Sequence, residues 1–385
     1  MNSQIDLTTS KNIENWLQNR SATVKTVKDV LVSNSTLSVV EYVINGWFDL
    51  VLCLIGTVTN IIEIYVFSKL GFKETVNISM TFIAFWDLIR ITSGGGHRLY
   101  APVSLISPSF GKTWQTFTLM NLHYLHIISS NVSYVLGAYV AVERCLCVSV
   151  PFKVKSILTP KLTTTVCAIL SFVVFSTFVP IFLVFEPIWI YSEQSNSSIM
   201  IYKYTEFYKT YGEKYQDANQ TLGAVYPSFS LITMIFSTII ISFYLNKTSK
   251  TRYGLTRTNP KTTKQQTMSR KEKQVVKMLL VIINIYIVNI MPRVLGCLAM
   301  LIEPEFYIFR FYNNLFWVIM YTVFALDFLN SSVHLFVFYF MSSKFRNMFH
   351  RIFITNNECK KEHMSDYSSH HDLNSIQHKL LSTRI

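Results

Sequence analysis

An acidic and a basic side chain stand side by side at Glu143 and Arg144, directly after a long stretch without charge. No Asp, Glu, Lys or Arg occurs from Asn121 through Val142, and this length is enough for a helix to cross a bilayer. Charges in a membrane helix are costly, so they tend to mark working sites. The carboxylate and the guanidinium at the end of such a helix lie near the membrane–water boundary, where they could serve as a working site. The alternative is that the pair only anchors the helix end at the membrane surface.

Signatures of catalysis are missing from the sequence. It contains no HExxH, no GxSxG, no phosphate-binding loop and no evident pairing of a nucleophile with a base. The six cysteines lack the CxxC spacing of a zinc site. We therefore predict that the protein is not an enzyme and carries no structural metal.

The composition is that of a membrane protein. Charged residues make up 15% of the 385 residues, whereas soluble domains carry about 25%. Hydrophobic residues make up 50%, and the mean hydropathy is +0.31. A net charge of +13 is also typical of nucleic-acid binding. Because the basic residues cluster between apolar runs, we expect contact with membrane lipid and no nucleic-acid partner.

Seven apolar segments follow a polar start, and each is long enough to span a membrane as a helix. We therefore predict an all-α fold, a seven-transmembrane helix bundle, with a short amphipathic eighth helix at SSKFRNMF. The predicted domains are an extracellular tail at 1–42, a membrane domain at 43–353 and a cytoplasmic tail at 354–385. The predicted spans are 44–68, 76–95, 115–142, 163–185, 222–245, 275–301 and 312–341.

The distribution of Lys and Arg predicts the orientation. Loop 246–274 holds nine basic residues and one acid, Glu272, whereas loop 186–221 holds three Lys and five acids. By the positive-inside rule, the N-terminus lies outside and the C-terminus in the cytoplasm of a plasma-membrane protein. Three sequon asparagines then fall outside and are predicted glycosylation sites, namely Asn34, Asn196 and Asn219.

Several short sequence motifs occur, in order, at the positions where one receptor family has them. They are Gly56 to Asn60 in the first segment, Asp87 in the second, Glu143-Arg144-Cys145 ending the third, Pro227 and Pro292 in the fifth and sixth, and Asn330-Ser331-Ser332 in the seventh. From Asn45 to Phe353 the chain resembles the rhodopsin-like G-protein-coupled receptors. Within them it looks most like invertebrate, molluscan-type chemosensory receptors and FMRFamide-type peptide receptors.

The chain also departs from that pattern. Leu119 stands where the family commonly has a cysteine at the outer start of the third helix, and loop 186–221 has no cysteine. The family's disulfide is therefore expected to be absent. Ile290 stands where a tryptophan switch is common in the sixth helix, which puts the details of activation in doubt.

The resemblance implies a site of G-protein coupling at the cytoplasmic end. There Arg144, next to Glu143, pairs at rest with an acid on the sixth helix, and Glu272 is the acid available. Because desolvation offsets much of the attraction in such a pair, it is easily switched. The alternative is that Glu272 pairs with neighbouring lysines in solvent.

The resemblance also implies an activation cluster around Asp87, with Asn60, Ser133 and Asn330 as its partners. In the family this cluster holds an allosteric sodium ion. The alternative is a neutral, hydrogen-bonded Asp87 without an ion. No lysine occurs between Phe311 and Ser343, where an opsin carries its retinal Schiff base, so no retinal is expected.

Candidate ligand-binding residues lie on three segments. They are His123, His126 and Asn131 on the third, Arg293 on the sixth and Tyr312 at the start of the seventh. Histidine and arginine together suit an anionic ligand or a peptide terminus. Alternatively, these residues serve only in packing.

We therefore predict a receptor that binds an extracellular ligand, either a peptide or a chemosensory small molecule, and activates a heterotrimeric G protein. The alternative is a ligand-gated channel or a transporter of the seven-helix type. No internal repeat is visible in the sequence, which argues against the inverted-repeat transporters.

Overall fold

The computed structural model describes residues 31–150, 154, 157–193, 196–255, 270–308 and 310–355, without the side chains of 213, 216, 246–255, 270–273 and 355. Seven long helices form a bundle, and the predicted seven-helix fold is confirmed. They are α1 Asn34–Leu70, α2 Thr75–Arg98, α3 Pro108–Ser149, α4 Pro160–Leu183, α5 Glu206–Leu255, α6 Arg270–Ile302 and α7 Asn313–Met341. The predicted eighth helix is α8, Ser343–His350, and a short helix, Tyr100–Ile106, joins α2 to α3.

Side-chain caps explain where several helices begin. The Ser33 hydroxyl accepts a hydrogen bond from the amide of Thr36, so α1 begins within the stretch predicted as a tail. Ser107 before Pro108 and Thr159 before Pro160 start α3 and α4 in the same way. The sequence-based spans, drawn from hydrophobicity alone, therefore start several residues late at α1 and α3.

Two of the helices contain π-helical turns at the same end of the bundle. They cover Glu41–Phe48 within α1 and Leu119–His123 within α3. A π-turn adds a residue to a helical turn and re-aims the side chains next to it, and such turns are frequent at functional sites. Both segments contribute side chains to the cavity described below.

Helix α2 differs from the other six in the composition of its most apolar part. The other six helices are apolar enough to be candidate membrane spans by composition, whereas α2 carries Asp87, Arg90, His97 and Arg98. Each of these four side chains is buried in the bundle. Their charges are therefore placed against other helices and not against lipid.

The helices divide into central and peripheral ones. In α3 and α7, 72% and 67% of the most apolar window is buried, compared with 28% in both α4 and α5. Helix α3 packs against α2, α4, α5 and α6, while α1 packs against α2 and α7. Large apolar side chains such as Phe172 on α4 and Phe229 on α5 are exposed, as expected for a surface that meets lipid. Polar residues on α2, α3 and α7 therefore face the interior.

A β-hairpin covers one end of the bundle and α8 lies at the other. Strands β1, Phe185–Ser192, and β2, Ser197–Tyr204, pair antiparallel. The hairpin is joined to α3 by a hydrogen bond from the amide of Met200 to Thr113 Oγ1, at 3.2 Å. We call this end the hairpin end. The opposite end, where Phe345 of α8 is buried against Phe67 and Phe338, is the α8 end.

Candidate functional site

A cavity of about 240 Å³ opens between the helices at the hairpin end. It lies where the starts of α1, α3 and α7 meet the end of α2. Six polar side chains and three apolar or aromatic ones surround it. The lining residues are Glu41, Asn45, His97, Gln115, Thr116, Leu119, His123, Trp317 and Tyr321.

Hydrogen bonds between neighbouring elements fix the α1 wall of the cavity. Gln115 Nε2 donates to Glu41 Oε1 at 3.3 Å, which connects α3 to α1. Asn45 Nδ2 donates to the Tyr100 hydroxyl, and that hydroxyl donates to the backbone oxygen of Glu41. Because Glu41 and Asn45 are four residues apart, both point from successive turns of α1 into the same space.

Three histidines lead from the cavity into the bundle. The ring centroids of His97 and His123 are 5.1 Å apart, and those of His123 and His126 are 5.8 Å apart. His97 Nδ1 is hydrogen-bonded to Thr118 Oγ1 at 2.9 Å. Within the described residues, His123 Nδ1 and both ring nitrogens of His126 have no hydrogen-bond partner. The predicted ligand residue His123 therefore reaches the cavity, and His126 lies beneath it.

A buried ion pair lies next to the cavity. Arg98 Nη2 is 3.2 Å from Asp49 Oδ2 and donates to Asn45 Oδ1 at 2.9 Å, which joins α2 to α1. The guanidinium also lies over the ring of Phe328 on α7, 4.8 Å from its centroid. Arg98 is thus neutralised by its own carboxylate partner.

A second buried ion pair lies deeper and joins α6 to α7. Arg293 Nη2 donates to Asp327 Oδ2 at 2.7 Å. Asp327 Oδ1 accepts hydrogen bonds from Tyr134 on α3 and from Asn289 on α6, the latter at 3.1 Å. The predicted ligand residue Arg293 therefore has an internal anion. It is not among the residues that line the cavity.

Asp87 belongs to a third buried polar layer, after those of the Arg98–Asp49 and Arg293–Asp327 pairs. Its Oδ1 accepts from Arg90 Nη2 at 2.5 Å and from Ser133 Oγ at 2.8 Å. Arg90 also donates to Ser331 Oγ, and His334 Nδ1 lies 3.4 Å from Asp87 Oδ2. The guanidinium of Arg90 thus supplies a positive charge at the carboxylate where the resemblance implies a sodium ion, and it would repel a second cation there.

The two predicted asparagines of this layer lie beside it. Asn60 Nδ2 donates to backbone oxygens, Gly56 O at 2.8 Å and Ser331 O at 3.0 Å. Asn330 is buried, and neither polar atom of its amide has a partner within the described residues. Of the predicted cluster, the structure thus brings Ser133 into direct contact with Asp87.

At the α8 end, Arg144 is buried and paired with its neighbour. Its Nη2 donates to Glu143 Oε1, and to Thr75 Oγ1 on α2 at 3.3 Å. The side chain of Glu272, the predicted partner of Arg144, lies outside the described residues. The latch between these two residues therefore stays a prediction.

The remaining predicted ligand residues are away from the cavity. Asn131 is buried and donates to the backbone oxygen of Ile127 on its own helix. Tyr312 precedes α7, and its amide donates to the backbone oxygen of Glu305 at 3.1 Å. Neither residue lines the cavity.

The predicted glycosylation asparagines have different surroundings. Asn196 is exposed in the hairpin turn, at a φ of 46°, and its Oδ1 accepts from the Tyr191 hydroxyl. Asn34 is exposed at the start of α1, where its Oδ1 accepts from Asn314 at 2.9 Å. Asn219 is half-buried within α5.

Sequence reasoning missed most of the charged residues in the bundle. Asp49, Arg90, Asp327 and His334 were visible as polar residues inside the predicted apolar segments, and Arg98 lies just beyond the second of them. The spacing of Asp87 and Arg90, three residues apart on one helix, places them on the same face and was a usable signal. The partners of Arg98 and Asp327 lie on other helices, so no local spacing identifies them.

The comparisons with known proteins agree with this architecture. The model of one family, the serpentine type 7TM GPCR chemoreceptor Srw, matches residues 47–356, which is more than half of the chain. The matched range runs from within the first helix to just beyond the eighth. No curated protein matches the chain.

Proposed function

The chain belongs to the Srw family of serpentine 7TM GPCR chemoreceptors, and from this premise we propose how it works. It binds a small extracellular molecule in the cavity at the hairpin end and activates a heterotrimeric G protein through Arg144 at the α8 end. In this orientation the N-terminus is extracellular, as the distribution of basic residues predicts.

The size of the cavity favours a small molecule over a peptide. Sites for drug-sized ligands usually enclose roughly 300–1,000 Å³. A cavity of about 240 Å³ lies just below this range and has room for a compact ligand. This volume supports the small molecule among the two ligand classes that the sequence left open.

The buried polar layers give the cavity a physical connection to the far end. The ion pairs Asp49–Arg98, Arg293–Asp327 and Asp87–Arg90 follow one another between the cavity and Arg144. The first two pairs join different helices, and the Asp87–Arg90 pair within α2 contacts Ser133 of α3 and Ser331 of α7, so a shift of one helix changes these contacts. A ligand that binds one arrangement of the helices better than another shifts the populations of the two.

The observation that carries the proposal is the state of Arg144. It is buried at the α8 end, held by Glu143 on its own helix and by Thr75 on α2. Such a buried pair contributes little net stability, because desolvation offsets the attraction between the charges. When the pair opens, the guanidinium is available to the carbonyl groups at the end of a helix of the G protein, which favour a cation.

The test is G-protein activation in cells that express the wild type and Arg144→Ala at equal surface levels. A ligand response that is present in the wild type and lost in Arg144→Ala is expected. Arg351→Ala is the matched control, since Arg351 is exposed beyond α8 at the same end. An Arg144→Ala variant that signals normally would refute the proposed role, and a ligand-gated current without G-protein activation would favour a channel.

A further inference from the structure

We infer that the cavity takes an organic cation, a small molecule with an ammonium group next to a compact apolar body. This inference rests on the proposed function for its biological meaning and deepens it by naming the class of ligand. It departs from the anionic ligand that the sequence favoured. The observations that carry it are a carboxylate without a counter-ion, two ring nitrogens and a pair of aromatic rings.

The first observation is the charge of the cavity wall. Glu41 is the one ionisable acid among the residues found to line the cavity, and none of those residues is Lys or Arg. No Lys or Arg in the described part of the chain forms a salt bridge with Glu41. Its Oε1 accepts a long hydrogen bond, 3.3 Å, from the neutral amide of Gln115, and the carboxylate also accepts a hydrogen bond from the neutral hydroxyl of Tyr321. A half-buried carboxylate in this setting is complementary to a cation.

The nearest buried cation does not change this balance. Arg98 is bound to Asp49 and to Asn45 Oδ1, and its guanidinium lies over Phe328. The Arg98–Asp49 pair is neutral as a unit, so within the described residues the charge of Glu41 remains without compensation. An anionic ligand in the same space would face that carboxylate directly, and like charges at close range repel.

The histidines add acceptors to the same wall. The Thr118 hydroxyl donates its one hydrogen to the backbone oxygen of Trp114, at 2.6 Å, so it accepts from His97 Nδ1. In the neutral imidazole this leaves Nε2 of His97 as an acceptor. His123 is more than nine-tenths buried, lines the cavity, and has an Nδ1 without a partner in the described chain. An ammonium group supplies the donors that these nitrogens lack and the positive charge that complements Glu41.

Two aromatic rings complete the site on α7. Trp317 and Tyr321 both line the cavity, and their rings are stacked with centroids 5.5 Å apart. Aromatic faces attract organic cations, tryptophan most strongly, and they also cover an apolar body. The site thus offers a charge partner from α1 and an aromatic wall from α7.

The test uses the full-length protein in lipid nanodiscs and a panel of probes matched in size. One set is benzylamine, benzyl alcohol and benzoate; a second is choline and its neutral isostere 3,3-dimethylbutan-1-ol. Binding is measured by thermal stabilisation at increasing probe concentration. We expect the ammonium members to bind and their neutral and anionic counterparts to bind at least about tenfold more weakly, since a charged hydrogen bond is worth roughly that factor.

Three variants make the test specific. Glu41→Gln keeps the shape and removes the charge, and it should weaken binding of the ammonium probes about tenfold or more. Glu186→Gln is the matched control, because Glu186 is an exposed carboxylate of the hairpin that pairs with Lys203. Thr116→Trp fills the cavity and should remove binding of every probe, whereas the control should change affinity less than twofold.

The outcomes separate this inference from the proposed function. Three results would each overturn the inference. They are equal binding of the neutral or anionic probes, an unchanged affinity of the ammonium probes for Glu41→Gln, and no binding by any probe. G-protein activation by a neutral or anionic molecule would do the same while leaving the proposed function standing. Glu41-dependent binding of an ammonium probe that activates no G protein would support the inference and contradict the coupling.

Discussion

Arg293 on α6 and Asp327 on α7 form a buried ion pair, with Nη2 and Oδ2 2.7 Å apart, and Tyr134 of α3 hydrogen-bonds to the same carboxylate. Three helices therefore meet at one carboxylate in the centre of the bundle. Removal of one charge from a buried pair leaves the other without compensation, and this costs more than the pair itself contributes. Helix packing is therefore sensitive to the loss of either charge of this pair.

We expect Arg293→Met and Asp327→Leu, made singly, each to lower the free energy of unfolding by about 3–5 kcal/mol. The double variant should recover most of that loss, because it removes both charges together. The measurement is thermal unfolding of the purified protein in a double-mutant cycle. The exposed pair Arg310–Glu305 serves as the control, with an expected cost below about 1 kcal/mol. Additive single effects would contradict a direct coupling.

Sodium sensitivity tests the Asp87 layer. Since Arg90 supplies the positive charge at Asp87, replacing sodium by potassium at constant ionic strength should change the ligand affinity of the wild type by less than about twofold and its melting temperature by less than about 1 °C. Arg90→Ala removes that charge, and a sodium-dependent stabilisation should then appear. A sodium effect in the wild type that Asp87→Asn abolishes would instead favour the ion site implied by the family resemblance.

The predicted latch between Arg144 and Glu272 leads to a signalling measurement. If Glu272 restrains Arg144 at rest, Glu272→Ala should raise ligand-free G-protein activation at equal surface expression. Glu74→Ala is the matched control, because Glu74 lies at the same end and pairs with Lys344 at 2.5 Å. Basal activity that is unchanged in Glu272→Ala would count against the latch.

Docking of α8 depends on one aromatic side chain. Phe345 is 1% exposed, and its ring centroid lies 5.3 Å from that of Phe67 and 5.5 Å from that of Phe338. Phe345→Ala should therefore lower the free energy of unfolding by about 3 kcal/mol, as for other buried phenylalanines. Phe340→Ala, at a residue 70% exposed, should change it by less than about 0.5 kcal/mol. Equal effects of the two variants in thermal unfolding would refute this role of Phe345.

Glycosylation tests the orientation. Asn196 is exposed in the hairpin turn, so Asn196→Gln should remove one glycosidase-sensitive shift on a denaturing gel. Asn219 is half-buried in α5, and its substitution should have little effect. Asn77, a sequon residue at the α8 end that donates to the backbone oxygen of Gly71, is the negative control. A shift that depends on Asn77 and not on Asn196 would reverse the orientation.

The receptor class and the number of helices could be predicted from the sequence, because both depend on local sequence patterns, whereas the finer resemblance to molluscan-type and FMRFamide-type receptors stays a prediction. Runs of apolar residues of bilayer length predict helices wherever they occur. The Glu143-Arg144 pair and the amphipathic SSKFRNMF segment are likewise contiguous in the chain. The helix starts at Ser33 and Ser107 were missed, although both are capping residues, because hydrophobicity rather than capping chemistry set the predicted boundaries.

The sequence by itself determined which residues are charged or polar within the membrane segments, but it left their partners undetermined. Arg98 and Asp49 lie 49 residues apart, and Asp327 and Tyr134 lie 193 apart, so only the packing of the helices brings them together. The same packing pairs Arg293 with Asp327. It leaves Glu41 without a counter-ion among the described residues of the cavity wall. Since the charge of a site is the sum over side chains from several helices, its preference for an anion or a cation is decided by the tertiary structure.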